Sequence, residues 1–266
     1  MRLTPRFRVR TRSRQAEIAG LLLVIALASS AAFAETVPGT SNPYLAGMPN
    51  GSSCCSGDSA PAQSPVLVTS VTVTPGSALT FTVTGSVDNA GGTPTLTPDG
   101  GSVFSTSSNN GISGASWPIN ALVGVFLDAS QPDSSQAPTA LDFSGSGLGT
   151  SFTTLSPALK QAFFIGDGLT GTGTGSVQTF VVPAGATRFF LGTSDGFGWF
   201  NNSGSFAVTV AQGPAGATPT PTVQPPSATP TVSAGPPAVV PTLSFPMLAV
   251  LGLSLAAAAL FLIRRL

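Results

Sequence analysis

The stretch ALTFTVTG at residues 78–85 decides the fold, because apolar and polar side chains alternate along it without a break. Leucine, phenylalanine and valine take turns with threonine, which is the period of a strand that buries one face. The preceding stretch PVLVTSVTVT, residues 65–74, has valines at 66, 68, 71 and 73, and Pro75-Gly76 supplies a turn between the two stretches. Two successive strands are therefore predicted.

Six further apolar runs of strand length follow, each bounded by glycine, proline, aspartate or serine. No helical period is sustained beyond a single turn around residues 156–161. We therefore expect an all-β fold, an antiparallel β-sandwich of jelly-roll type over residues 64–211. The six runs are PINALVGVFL (118–127), ALDF (140–143), QAFFIG (161–166), VQTFVVP (177–183), TRFFLG (187–192) and SFAVTV (205–210).

Composition narrows the possible functions. The chain has 266 residues with 31 glycines and 24 prolines, which suits one β domain with tails. Of its basic residues only Lys160 and Arg188 lie in the body, which therefore has an acidic excess. This excludes nucleic acid as a partner, because no cationic face is available for phosphates. The absence of histidine removes the usual proton shuttle and the commonest zinc ligand.

Residues 1–34 have the form of a secretory signal peptide. An arginine-rich start precedes the apolar core IAGLLLVIALA, and the small residues AFA precede Glu35, as at signal-peptide cleavage sites. We expect the mature chain to begin near Glu35, and a signal anchor is the alternative. Residues 35–63 are polar and turn-rich, and we expect Tyr44, Leu45 and Met48 to pin them to the edge of the sandwich.

The C-terminal part of the chain predicts a stalk and a membrane helix. Residues 212–239 are rich in proline and threonine and carry no charge, which indicates an extended, polyproline-like stalk. The apolar run at 245–263 is long enough to cross most of a bilayer core of about 30 Å. Arg264 and Arg265 follow this run, and their charge places the body outside the cytoplasm.

The last 27 residues, 240–266, combine the motif VPTLS, an apolar helix and a terminal arginine pair. In this order the three parts resemble the IPTL variant of the PEP-CTERM sorting signals, although the Pro-Glu-Pro of the main type is missing. The resemblance implies an exosortase-type sorting enzyme as a partner, and a location at the cell surface or outside the cell with the helix at least transiently in the membrane. A plain C-terminal membrane anchor is the alternative.

The only two cysteines, Cys54 and Cys55, are adjacent. Their Cα atoms must lie about 3.8 Å apart, which is shorter than the usual separation in a disulfide. We interpret these cysteines as free, strained or paired between chains, and a variable loop without a role for either thiol is the alternative.

The runs TRFFLG and SFAVTV resemble two antiparallel strands, and the segment TSDGFGWFNNSGSF at residues 193–206 contains their connection, which is longer and richer in oxygen ligands than a two-residue hairpin needs. Asp195 offers a carboxylate, Asn201 and Asn202 offer amide oxygens, and the glycines let backbone carbonyls point toward one centre. Such a set fits calcium better than zinc, and one carboxylate among neutral ligands predicts a dissociation constant of about 10⁻⁴ M or somewhat tighter. The alternative is a turn stabilised by Asx hydrogen bonds without metal.

The string FFLGTSD…NNSGSFAVTV, preceded by FVVPAGAT, resembles the C-terminal half of the calcium-dependent bacterial galactophilic lectin (LecA type), a galactose-binding-like sandwich. The resemblance implies a calcium ion that also holds two vicinal hydroxyls of galactose. The loop is one residue shorter than in the lectin, and the insertion at 128–157 has no lectin counterpart. The implied ligands are the side chains of Asp195, Asn201 and Asn202, a carbonyl of Trp199 or Phe200, and a carbonyl of Asn89, with Asp88 as an alternative.

Aromatic residues in the same loop suggest a sugar site. Trp199 stands where the lectin has a sugar-contacting threonine, and an indole packs well on the apolar face of a pyranose. We expect Phe197 and Gly196 beside it, and the resemblance places Asn110 and Ser107 of SSNNGIS (107–113) in the second sugar-contacting segment. The alternative is that Phe197 and Trp199 cap the open end of the sandwich.

The remaining aspartates do not indicate catalysis. Asp167 in FIGDGLTGTGTG is a candidate for a second ligand loop, although Gly-Asp-Gly is also common turn chemistry. A glycoside hydrolase would need two carboxylates facing each other across a cleft, and the body has only scattered aspartates and no glutamate after Glu35. We therefore expect no enzymatic activity.

Two functions are compatible with these features. The first is an exported carbohydrate-binding protein, tethered to the surface or released, that binds glycans through calcium. The second is a structural component of an extracellular matrix or biofilm in which calcium only stiffens the fold.

Overall fold

The structure is a computed structural model that describes residues 34–213. The predicted signal peptide before residue 34 lies outside these residues, as do the stalk beyond residue 213 and the sorting tail with its membrane helix. Between residues 34 and 213, no helix is both long and apolar enough to span a membrane. This part of the chain consists of strands, turns and three short 3-10 helices, so the prediction of an all-β fold is confirmed.

Residues 34–213 contain 16 strands, which form two main sheets and three small ones. The strands are β1 (Ala34–Pro38), β2 (Ser53–Cys54), β3 (Asp58–Ser59), β4 (Val66–Leu67), β5 (Ala78–Asp88), β6 (Val103–Ser105), β7 (Ala115–Pro118), β8 (Leu122–Leu127), β9 (Leu141–Asp142), β10 (Thr154–Leu155), β11 (Ala162–Phe164), β12 (Leu169–Gly171), β13 (Thr174–Val177), β14 (Thr179–Val181), β15 (Arg188–Thr193) and β16 (Ser203–Gln212). The 3-10 helices are η1 (Pro43–Leu45), η2 (Pro132–Ser134) and η3 (Trp199–Asn201).

A five-stranded sheet and a four-stranded sheet form the two main layers. The first has the order β1-β16-β5-β14-β10 and the second the order β11-β8-β15-β4. Their pairings are antiparallel except for that of β10 with β14. Three small sheets, β2-β3, β6-β7-β9 and β12-β13, complete the fold.

Phenylalanine rings join the inner faces of the two layers. The ring centroids of Phe81 on β5 and Phe189 on β15 are 5.9 Å apart, and those of Phe180 on β14 and Phe163 on β11 are 5.7 Å apart. All four side chains are buried. The apolar face predicted from the alternation in ALTFTVTG therefore packs against the opposite sheet. The threonines of this stretch alternate with the apolar residues and lie on the other face of the strand.

The other opening stretch, residues 65–74, departs from the prediction. Only Val66–Leu67 forms a strand, and Val68 donates one more backbone hydrogen bond, to Phe189, before the chain leaves the sheet. The Glu35 carboxylate then accepts the next two amide hydrogens, those of Thr69 and Ser70, at 2.9 and 3.0 Å. These two N–H groups thus donate to a side chain and not to a neighbouring strand, so the strand does not continue. The single helical turn expected around residues 156–161 is also absent.

The segment 193–206 is not a hairpin connection, contrary to the antiparallel pair that its flanking strands suggested. β15 lies in the four-stranded sheet, whereas β16 pairs with β1 and β5 in the five-stranded sheet. The loop therefore crosses from one layer to the other at the end of the sandwich. A crossing of this kind explains why the loop is longer than a two-residue turn.

The turn-rich segment before residue 64 takes part in the fold. β1 pairs with β16, and η1 packs on β8 and β15. Tyr44 and Leu45 are buried, and Met48 is half-buried. Because this segment covers the four-stranded sheet, all six residues of β8 are buried, which is the pattern of a strand enclosed on both faces.

Both basic side chains of the described region hold the insertion that follows β8. The Lys160 ammonium group donates to the backbone carbonyls of Pro132, Ser135 and Gln136. The Arg188 guanidinium donates to the carbonyls of residues 128 and 130, at 2.8 and 2.6 Å. These two charges are thus committed to backbone carbonyls at positions 128–136.

The phenylalanine contacts between the layers predict a large loss of stability for Phe189→Ala. The Phe189 ring is fully buried and packs on Phe81, Phe126 and Phe163, so its removal leaves a cavity and should lower the free energy of unfolding by about 3–5 kcal/mol. Phe197→Ala, at a ring that is 67% exposed, is the control and should change stability by less than about 0.5 kcal/mol. Urea unfolding measures both, and equal effects would contradict the packing described.

Candidate metal centre

The loop that crosses between the sheets is anchored where β15 ends. The Ser194 hydroxyl accepts from the Ala121 N–H at 2.8 Å and donates to the Pro118 carbonyl. The Thr193 hydroxyl donates to the Gly39 carbonyl at 2.7 Å. Since Thr193 and Ser194 are fully buried, the position of the next residue, Asp195, is fixed by two segments that are remote in sequence.

One oxygen of Asp195 is used inside the loop and the other has no partner. Oδ1 accepts from the backbone N–H groups of Gly196 and Phe197, at 2.6 and 3.3 Å. Oδ2 is buried and has no hydrogen-bond donor among the described residues, and the side chain is only 4% exposed. A buried carboxylate oxygen without a donor costs free energy unless a cation or a proton meets it.

Two asparagine oxygens share this condition. Asn202, 8% exposed, donates through Nδ2 to the Gly39 carbonyl at 3.0 Å, which leaves its buried Oδ1 without a donor. Asn120, fully buried, donates through Nδ2 to Asn89 Oδ1 at 3.1 Å, and its own Oδ1 also lacks a donor. Buried polar atoms are normally paired, so three such acceptors at one end of the sandwich need an explanation.

A chain of contacts brings these residues together. Ser203 pairs with Asp88 in the register of β16 and β5, so the residues just beyond this pair, Asn202 and Asn89, extend from the same end of the sheet. Asn89 accepts from Asn120, whose backbone N–H donates to the Ser194 carbonyl, next to Asp195, at 2.8 Å.

A second carboxylate, that of Asp58 on β3, lies beside this group. It is fully buried and accepts from the Trp199 and Phe200 N–H groups at 3.1 and 2.9 Å and from Asn42 Nδ2 at 3.1 Å. Asp58 therefore caps η3 from a distant segment, since Gly198, the residue before the helix, has no side chain to do so. Asp58 was not a predicted site residue.

Burial makes the ionised form of both carboxyls costly. Burial raises the pKa of Asp195, and the charge of Asp58 raises it further. The Asn202 amide and the backbone N–H groups of Phe197 and Gly196 lower it. Burial likewise raises the pKa of Asp58, against three hydrogen bonds that lower it. Lys160 and Arg188, the basic residues of the described region, are bound to carbonyls of the insertion. Neither charge is therefore neutralised by a basic side chain of residues 34–213.

The ligand set fits a hard cation with neutral oxygen ligands. Residues 34–213 contain no group of three or more cysteine, aspartate or glutamate side chains that could hold a metal. Buried oxygens without donors also occur on Ser70, Asp99 and Gln178. Those of Asp195, Asn202 and Asn120, which the contacts above connect, belong to one carboxylate and two amides, and such a set suits calcium at modest affinity. Asp195, Asn202 and Asn120 would hold such an ion.

The other predicted ligands are not among the buried side-chain oxygens without donors. Asn201 is exposed, and the Trp199 carbonyl accepts from the Asn202 N–H at 3.0 Å. Asn89 has its side-chain oxygen engaged by Asn120. Asp88 closes its own turn by accepting from the N–H groups of Ala90 and Gly92.

Asn120 and Asp58 are the residues that sequence reasoning missed. Asn120 has a positive φ of 60°, a conformation in which asparagine is enriched, and it interrupts the apolar run PINALVGVFL. That interruption was the available signal. Asp58 carries no comparable signal, because its partners Trp199 and Phe200 lie 141 and 142 positions away.

The sugar-packing role expected for Trp199 needs correction. Its indole is fully buried, its Nε1 donates to the Thr193 carbonyl at 2.8 Å, and its ring meets the edge of Tyr44. A buried ring offers no face to an external sugar. The exposed aromatic rings of the loop are those of Phe197 and Phe200, 67% and 53% exposed.

The other predicted sugar contacts divide into two groups. Gly196 and Ser107 line one cleft of about 300 Å³, together with Tyr44, Cys55, Ser105, Thr106, Ser108, Asn109 and Trp199. Asn110 uses its Nδ2 to hold the carbonyls of Tyr44 and Ser53. Gly196 and Ser107, far apart in sequence, are thus brought together, whereas the Asn110 side chain braces the backbone.

Two further predicted features have defined places. Cys54 and Cys55 are joined to each other in a disulfide, so the interpretations as free thiols and as cysteines paired between chains were wrong. The Asp167 carboxylate accepts from the N–H groups of Leu169 and Gly173, at 2.8 and 2.6 Å. It therefore closes the β12-β13 hairpin.

No protein family model matches the chain, and comparisons with curated proteins and with solved structures gave no significant match. The resemblance to the galactophilic lectin therefore stays a prediction from the loop sequence.

The raised pKa of Asp195 predicts how pH acts on the calcium-free protein. Because the folded state holds this proton more tightly than the unfolded state, the contribution of Asp195 to stability is greatest below its usual pKa of 3.8 and is lost as pH rises through the higher folded value. Asp195→Asn should therefore gain stability relative to the wild type as pH increases from about 4 to 7.

Asp142→Asn is the control of opposite sign for this experiment. Hydrogen bonds from Ser144 lower the pKa of the exposed Asp142 carboxyl, so its contribution to stability is complete above the usual value of 3.8 and is lost as pH falls through the lower folded value. Relative to the wild type, this variant should lose stability as pH rises through that lower range and should change little from about pH 5 to 7. Urea unfolding in chelator at several pH values measures both differences. A pH-independent difference for Asp195→Asn would contradict the burial argument.

Proposed function

We propose that this protein is an exported, calcium-dependent glycan-binding protein. The observation that carries the proposal is the set of three buried oxygens without donors, on Asp195, Asn202 and Asn120, at one end of the sandwich. They are of the type that calcium prefers, and the buried negative charge beside them has no basic side chain to offset it. Calcium would supply a charge at which vicinal hydroxyls of a sugar can also bind.

The surroundings of the site support a sugar ligand. Phe197 and Phe200 expose aromatic rings on the same loop, and aromatic rings pack on the apolar face of a pyranose. The neighbouring cleft is lined by hydroxyl and amide groups without any charged side chain. These features support a neutral, hydroxylated ligand in the galactose-binding-like manner that the loop sequence predicts.

Export and sorting belong to the same proposal. The signal peptide at 1–34 and the sorting tail at 240–266 would place the domain at the cell surface or outside the cell, presented on the stalk and recognised by an exosortase-type enzyme. We assign no catalytic role to the two buried aspartates, because both oxygens of Asp58 accept hydrogen bonds that hold the loop.

One observation favours the second candidate, a structural matrix component in which calcium only stiffens the fold. Asp195, Asn202 and Asn120 are each at least nine-tenths buried. An ion enclosed by them has few positions left for sugar hydroxyls. In this case calcium would bind and stabilise the domain without any glycan.

Calcium should stabilise the protein through Asn120 as well as Asp195. At 10 mM calcium and a dissociation constant near 10⁻⁴ M, the free energy of unfolding should rise by about 2.7 kcal/mol. Asp195→Asn should abolish most of this gain, and Asn120→Gly, which suits the positive φ of 60°, should weaken calcium binding about tenfold. Calorimetric titration and urea unfolding measure these effects.

Asn110→Gly is the matched control for Asn120→Gly, since Asn110 also has a positive φ, of 47°, but lies outside the group of oxygens without donors. It should leave the calcium affinity unchanged. Equal calcium affinity in Asn120→Gly and the wild type would remove Asn120 from the site, and the absence of any calcium effect on the wild type would end the proposal.

Glycan binding should require calcium. Titration of the full-length chain with methyl β-D-galactopyranoside and methyl α-D-mannopyranoside should give heat in calcium and none in excess chelator. Calcium-dependent stability without heat from either sugar would favour the structural candidate.

A further inference from the structure

The cleft beside the metal centre is bounded by a disulfide between adjacent residues. Cys54 and Cys55 lie at the turn of the β2-β3 hairpin, with Cys54 buried and Cys55 half-buried and lining the cleft. The Asn109 side chain borders this residue, and its Nδ2 lies 3.7 Å from the Cys55 sulfur. The polarisable, apolar sulfur of Cys55 therefore forms part of the cleft surface, whereas Cys54 is buried behind it.

The floor of the cleft is rigid. Tyr44 and Trp199 are buried and meet edge to face, with ring centroids 5.9 Å apart. The Tyr44 hydroxyl donates to Thr106 Oγ1 at 2.6 Å. The same Trp199 is held by Asp58, which follows the disulfide turn by three residues. The disulfide and the loop of the metal centre are thus fixed to each other.

The cleft is also lined by polar atoms that have no hydrogen-bond partner among the described residues. The hydroxyls of Ser107 and Ser108 are exposed and make no hydrogen bond within residues 34–213, and the Asn109 amide oxygen likewise accepts none there. No charged side chain lines the cleft. A ligand that fits must be neutral, with hydroxyls on its edge and an apolar face toward the Cys55 sulfur, which describes a pyranose.

We propose that this cleft is a pyranose subsite, in which the Cys55 sulfur of the Cys54–Cys55 disulfide packs against the apolar face of a sugar ring while Ser107, Ser108 and Asn109 bind its hydroxyls. The proposal rests on the proposed function, because the sugar that occupies the cleft belongs to the glycan that reaches the calcium ion through the shared residue Gly196. The disulfide takes the platform role that the buried Trp199 does not offer.

The test compares calcium affinity and sugar affinity in the same full-length variants, with detergent present. Ser107→Trp fills the mouth of the cleft from an exposed position and should reduce the affinity for the better-bound of methyl β-D-galactopyranoside and methyl α-D-mannopyranoside at least tenfold. Calcium affinity should stay within twofold of the wild type. Ser151→Trp, at another exposed serine, is the control and should change neither affinity.

Loss of the disulfide should act in the same direction. The double variant Cys54→Ala, Cys55→Ala, and the wild type after reduction and alkylation, should each lose at least fivefold in sugar affinity. Asn109→Ala, which retains the disulfide, should also weaken sugar binding and covers the case in which the double variant fails to fold.

The outcomes separate the two proposals. Sugar binding that needs calcium but is unchanged in Ser107→Trp and Asn109→Ala would overturn the subsite and leave the calcium-dependent lectin intact. A wild type that binds neither sugar would overturn the subsite together with the glycan-binding function, and a wild type that binds sugar without calcium would overturn the metal-dependent function alone.

Discussion

Two buried carboxylates, those of Asp58 and Asp195, interact with the same loop at the end of the sandwich, and no basic side chain of residues 34–213 neutralises them. Asp58 is satisfied by three hydrogen bonds, whereas Asp195 keeps one oxygen without a donor. The described region has two basic side chains, and both hold the insertion after β8. A proton or an external cation would offset the charge of Asp195, so the predicted response to pH and the proposed binding of calcium have one electrostatic origin.

Asp58 also connects the parts of the site mechanically. It follows the disulfide turn of the β2-β3 hairpin, accepts from Asn42 before η1, and caps η3 in the crossing loop. The N-terminal segment that covers the four-stranded sheet is thereby fastened to the loop that carries Asp195. This connection gives the cleft and the metal centre a common frame, although they consist mostly of different residues.

The depth of the oxygens decides between the two proposed functions. An enclosed ion mainly stabilises the loop, whereas an ion with free coordination positions also binds hydroxyls. The exposed rings of Phe197 and Phe200 and the uncharged cleft lie on the outer side of this loop. A glycan-binding protein needs exposed aromatic rings and an uncharged cleft of this kind. A purely structural ion would give them no role.

The sequence by itself determined strands β5 and β16, because alternation with period two is a local property that ALTFTVTG and SFAVTV carry within eight residues. It also determined that Asp195 and Asn202 belong to one loop rich in oxygen ligands. Only the tertiary structure decided that this loop crosses between sheets, that Trp199 points inward, and that Asn120 and Asp58 join the site. Those outcomes depend on contacts between residues that are far apart in sequence, by 73 positions in one case and by 141 in another. Such contacts arise only when the two sheets pack and bring distant turns to the same end of the sandwich.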